Sequence, residues 1–136
     1  MADIELRRLW TIDGAASQKD GVPRRIWDLI MAANPPETTL EFRQVNMWWR
    51  ANSPEIFIQT RLERGMPLVG SIYVQDYGTS LVISRVVVEP DSMARFKWMA
   101  AGAFEHLIDR AITTVVAEER GVEVTERGEK SDQTGG

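Results

Sequence analysis

The sequence predicts a single α+β domain, an antiparallel sheet with a short helix and a long C-terminal helix packed on one face, in the order β-α-β-β-β-β-α. Three observations carry this. Residues 91–120 return apolar side chains every three or four positions, through Met99, Ala103, Phe104, Leu107, Ile108, Ala111, Ile112 and Val115, which is the period of a helix with one buried face. Most of the preceding chain alternates apolar and polar residues with the two-residue period of strands. The strand-like runs after residue 38 are separated by only a few turn-forming residues, so neighbours pair antiparallel; a parallel pair needs a crossover of about a dozen residues or more.

Taken in order, Ile4, Leu6, Trp10 and Ile12 alternate with Glu5, Arg7, Thr11 and Asp13, giving a strand over residues 3–12 interrupted on its apolar side by Arg8. Residues 14–21 are small and polar, a loop. Pro23 suits a first helical turn, Ile26, Leu29, Ile30 and Ala33 form an apolar stripe, and Pro35-Pro36 ends this helix. A helix so short is marginal alone and is held by packing. From Thr38, Leu40 and Phe42 share one phase, whereas Val45, Met47 and Trp49 share the other, so a bulge or bend is expected near Arg43 or Gln44. Asn52-Ser53-Pro54 reads as a turn, residues 55–63 as a strand, Arg64-Gly65 as a tight return. Residues 67–77 and 80–89 give two more strands around Gly78. Pro90 then bars extension of the long helix backwards, Asp91 or Ser92 suits its N-cap, and Gly121 suits its left-handed stop. Residues 121–136 hold little to bury and read as a disordered polar tail.

This element order, over residues 3–120, resembles a single copy of the TATA-binding-protein-like arrangement, of which the helix-grip ligand-binding proteins are a larger version. The resemblance implies a C-terminal helix laid across the sheet and, in its reduced helix-grip form, a pocket between the two. In that pocket Trp98, Phe104 and Ile108 would hold a small apolar molecule or support modest acid–base chemistry.

Composition narrows the chemistry further. The 136 residues include no cysteine, which removes disulfides, thiolate zinc sites, iron–sulfur ligation and thiol nucleophiles together. A net charge of −4, with the arginines scattered rather than gathered, argues against general nucleic-acid binding, which needs a concentrated basic face. No run approaches the roughly 18–20 apolar residues of a membrane span, and residues 1–8 lack the apolar core of a secretory signal, so a cytoplasmic protein is expected. Neither G-x-G-x-x-G nor G-x-x-x-x-G-K-[ST] occurs.

No catalytic set emerges. His106, the only histidine, stands three residues before Asp109 on the long helix, close enough for orientation by a carboxylate. Helical geometry turns both toward water, and a zinc site built on one histidine would need mostly carboxylates, an uncommon set. Neither a metal nor another cofactor is expected. Glu105 and Asp109, four apart, also read as surface charge. Asp76 shares a strand phase with Leu68, Ile72 and Val74, which draws it toward the core side near a hairpin end. Among the five tryptophans, consecutive Trp48 and Trp49 point to opposite faces if extended, leaving one in need of cover.

The functional expectation comes from counting faces. Ile56, Ile58, Leu68, Ile72, Val74, Leu81, Ile83 and Val87 fill one set of strand phases, and two helices can cover that side. The other set holds Phe57, Val69, Tyr73, Val82 and Val86, together with Tyr77 and Val88. Each large apolar side chain gains roughly 1.5–3 kcal/mol on burial, so a second layer is expected over this face. A second copy needs only one self-complementary patch to supply it. The chain is therefore expected to be a non-catalytic binding or assembly module that forms a homo-oligomer through Phe57, Val69, Tyr73, Val82 and Val86.

Overall fold

The two-residue periods become five long strands and the 3.6-residue periods two helices in the computed structural model, which describes residues 4–47, 50–62, 67–89 and 97–124. The elements are β1 (Ile4–Ile12), a 3-10 turn (Ala16–Gln18), α1 (Gly21–Ala32), β2 (Thr38–Met47), β3 (Arg50–Thr60), β4 (Leu68–Tyr77), β5 (Ser80–Glu89), α2 (Lys97–Glu118) and β6 (Val122–Val124). All strands join one antiparallel sheet in the order β2-β3-β4-β5-β1-β6. The chain is thus an α+β fold with a short helix and a long C-terminal one, as its periodicities predict. Trp48, Trp49, Arg64, Gly65 and Phe96 lie outside the described residues, as does the start expected for the long helix.

Register sorts the side chains cleanly. Leu40, Ile58, Gly70 and Val87 form one cross-strand row, and Trp10, Ile83 and Val74 another. These rows face the helices. α1 adds Val22, Ile26 and Ile30 to the core and buries Pro23, and α2 adds Phe104, Ile108, Ala111, Ile112, Val115 and Val116. Gly70 explains how α2 seats so closely: a side chain there would begin 3.1 Å from Ile108 Cδ1 and 3.4 Å from Phe104 Cε2. The buried stripe of α2 is narrower than the sequence stripe, since Met99 is 69% exposed and Leu107 only partly buried.

Four local expectations are corrected. The irregularity in β2 falls between Val45 and Met47, beyond Arg43 and Gln44, both of which pair regularly with β3. Asn52-Ser53-Pro54 does not turn; it lies inside β3, with Ser53 opposite Val45 and Pro54 opposite Gln44. Proline is tolerated there because the pairing of β3 with β4 starts only at Glu55, so no ladder bond toward β4 is lost. Gly121 is not the left-handed stop. Arg120 takes that conformation (φ 62°), while Gly121 N–H donates to Val116 O at 2.7 Å and Arg120 N–H to Ala117 O at 3.1 Å. Finally, residues 122–124, expected in a disordered tail, form β6 against Leu9, Trp10 and Thr11.

Candidate functional site

On the helix side of the sheet, Arg8 of β1 and Arg85 of β5 stand directly opposite each other. Their phases put them among core residues: Arg85 lies between Ile83 and Val87 and is 0% exposed. A guanidinium in that position requires opposite charge, because removing it unpaired from water costs several kcal/mol. α2 provides it. Asp109 accepts from Arg85 through both oxygens, Nε to Oδ1 at 2.7 Å and Nη2 to Oδ2 at 2.6 Å, and Glu105 approaches Arg85 Nη2 at 3.0 Å. Arg8 Nη1 also donates to Asp109 Oδ2, at 2.7 Å.

The sequence expectation that Glu105 and Asp109 face water is therefore wrong. Each follows a buried residue, Phe104 or Ile108, by one position, so both sit at the border of the apolar stripe, within reach of an arginine rising from the sheet. Arg8 extends the network to β6. Its Nε donates to Glu123 Oε2 at 2.7 Å, its Nη2 pairs with Oε1 of the same carboxylate, and its guanidinium lies 5.2 Å from the Trp10 ring centre. Hydrogen bonding from Arg8 holds the Glu123 carboxyl below the usual range, and the same bond makes the Arg8 guanidinium hold its proton more tightly. Both Asp109 oxygens accept from arginine, which makes the network an anchor for α2 and β6 rather than a proton-transfer pair. The signal available in sequence was Arg85 itself, a charge in the phase of Leu81, Ile83 and Val87.

His106 is exposed, as its helical position predicts, at a groove of about 440 Å³ that also touches Leu29 and Leu107. Asp76 lies at the sheet end with its carboxylate 3.7 Å from Lys19 Nζ. Of the residues proposed for a helix-grip pocket, Phe104 is nearly buried and forms part of the floor of a second groove, about 420 Å³, bounded by Pro35, Pro36, Leu62, Leu68, Ala100 and Leu107. Ile108, on the sheet-facing side of α2, is fully buried in the core and lines neither of these grooves. The Trp98 side chain lies outside what is described. Among the described residues no group of three His, Asp or Glu is gathered as a metal site would need, and no helix is long and apolar enough to cross a membrane.

The face away from the helices gathers the other candidates. Phe57, Ser71, Val86 and Arg7 form one cross-strand row, Tyr73, Ser84 and Leu9 a second, Gln75 and Val82 a third, and Gln59, Val69 and Val88 a fourth. Thus Phe57, Val69, Tyr73, Val82 and Val86 do share one surface, each half-buried by its neighbours alone. Polar residues are interleaved with them. The Arg43 guanidinium carbon lies over Phe57, 3.8 Å from the ring centre, Gln75 donates to Ser53 Oγ at 2.9 Å, and Glu55 is only 5% exposed. Burial raises the Tyr73 phenol above its ordinary value; a hydrogen bond with Ser71 opposes that, and Glu55 reinforces it. Tyr77 stands apart at the hairpin end, 78% exposed. The result is a surface with an apolar band along β5 and no described element above it.

No family model matches the chain, and no curated protein and no solved structure matches it either, so a functional reading rests on these two faces of the sheet.

Proposed function

We propose that the protein is a non-catalytic binding or assembly module that forms a homo-oligomer by packing the open faces of two sheets together. The observation that carries this reading is the band of Leu9, Phe57, Val69, Tyr73, Val82, Val86 and Val88 on one surface that no described element covers. Four strands spaced about 4.8 Å apart over roughly 25 Å of length span on the order of 500 Å². Two such faces bury about 1,000 Å² in total, the lower bound for a specific interface, which suits a contact of modest affinity. The small serines Ser71 and Ser84 leave the middle of the face flat enough for a second sheet to lie on it, and a two-fold axis makes one such patch sufficient.

Val86→Glu tests this. Val86 is half-buried on the open face, where a carboxylate in a single copy reaches water, so the fold is expected to hold with a change in stability of about 1 kcal/mol or less. Burying the added carboxylate between two sheets strips it of water, which is costly even beside Arg7, and light scattering is expected to show a lower mass than wild type. Equal masses with an intact circular dichroism spectrum would reject the reading.

A second reading has one observation in its favour: the 420 Å³ groove floored by Phe104 is lined largely by apolar side chains. It would make the protein a carrier of a small apolar molecule. A monomeric wild type that binds an apolar dye, and releases it on Leu62→Glu, would favour this reading over assembly.

A further inference from the structure

The end of the sheet formed by β2 presents a second self-complementary surface, distinct from the open face. No described strand pairs with its outer side. Its inner side pairs regularly with β3 from Thr38 to Val45 before the irregularity at Met47. Phe42 stands at the midpoint of residues 39–45. It is 42% exposed although it stacks on Trp27 of α1, with ring centres 4.3 Å apart and planes 12° from parallel. Glu41 and Arg43 flank it on the opposite face, paired with each other at 3.1 Å and both well exposed.

We infer that two copies join through their β2 edges, antiparallel about a two-fold axis at Phe42, extending one sheet into the other. Pleating allows only registers that keep like faces together, so the two residue numbers facing each other have a constant, even sum. With the axis at Phe42, Glu41 of each copy faces Arg43 of the other, and this pairing occurs twice. Moving the axis to Glu41 or to Arg43 sets identical charges opposite each other. Moving it to Gln44 runs Glu41 into the irregularity at Met47. Moving it to Leu40 confines the pairing to residues 38–42, because Glu37 leaves the strand with φ 50°. Charge and length together thus select the register that is also centred on the regular stretch. On the helix side the same register brings the two exposed Phe42 rings together, each backed by its own Trp27.

Charged residues on an edge strand commonly serve to prevent such pairing. Here their order around an exposed aromatic ring is complementary to itself, which turns a guard into a match.

The inference is independent of the sheet-face reading and is tested with that contact removed. In the Val86→Glu protein, sedimentation equilibrium is expected to show a concentration-dependent dimer. Adding Glu41→Arg sets arginine against Arg43 at two places and is expected to weaken the dimer about tenfold or more. Adding both Glu41→Arg and Arg43→Glu restores opposite charges and the affinity; the arginine introduced at position 41 lies across from Phe57 and can cover its ring. A Val86→Glu protein that stays monomeric overturns the inference, as does an affinity indifferent to Glu41→Arg. If Val86→Glu instead keeps the wild-type mass, the sheet-face reading falls while the charge series is read in the same way.

Discussion

Replacing Asp109 by alanine is expected to lower the unfolding free energy by about 3–5 kcal/mol, the range for removing one partner of a buried ion pair. Arg85 is 0% exposed and would lose its bidentate carboxylate while keeping Glu105, whose side chain is 32% exposed. Arg8 also loses a bond, but it is 36% exposed and retains Glu123, so it contributes little to the loss. Urea denaturation followed by circular dichroism measures the change. A compensating double replacement, Asp109→Leu with Arg85→Met, is expected to recover most of the stability, because packed apolar residues often do as well as a buried ion pair. A fall below about 1 kcal/mol for Asp109→Ala would show that Arg85 reaches water or another acid and that the anchor is peripheral.

Gly121→Ala is expected to cost about 1–3 kcal/mol, although it adds one methyl group. That methyl would fall 2.5 Å from the Thr11 carbonyl oxygen and 2.7 Å from Ile12 Cγ1. Neither obstacle is the free end of a flexible side chain: one is backbone of β1 and the other belongs to a residue 1% exposed. To make room, the chain after α2 must lift from β1, and the pairing of Val122–Val124 with β1 goes with it. Amide hydrogen exchange at residues 122–124 separates this local release from a general loss of stability. An unchanged melting curve with β6 amides still protected would contradict the close approach.

How these positions read in sequence differs by cause. The strands and helices were legible because their periods come from burial on one face, and burial decided the outcome at Ile56, Ile72, Ile83, Ile108 and Ile112. Pro54 misled because local turn chemistry is overridden where only one neighbour strand pairs with that position. Gly121 was singled out for the wrong reason. Its lack of a side chain serves a contact with β1, over a hundred positions earlier, which no local pattern encodes, and Arg120 bears the left-handed turn instead. Residues 122–124 looked like tail because three residues are too few to show a period, and their hold on β1 depends on Glu123 reaching Arg8.

The charged anchor was half visible. Arg8 interrupts the apolar side of its strand, and Arg85 does the same in β5, yet only the register sets the two side by side beneath Asp109. Reading α2 by its strongest apolar stripe put Glu105 and Asp109 in water; the border of the stripe is where they meet the sheet. The open face shows the opposite case. Strand phase alone grouped Phe57, Val69, Tyr73, Val82 and Val86, and the register agrees. The polar residues set among them, with Glu55 buried beside Tyr73, were legible one by one but not as neighbours.

Coverage of the open face is the claim from which the proposed function follows, and a chain without cysteine allows it to be probed at one atom. Ser84 lies in the middle of that face, beside Tyr73 and Leu9, and Ser84→Cys changes little but the reacting group. Maleimide labelling of this variant is predicted to slow as the protein concentration rises, and to recover its dilute rate at every concentration once Val86→Glu is added. A labelling rate that is the same in dilute and concentrated protein would mean that water, not a second sheet, meets these side chains.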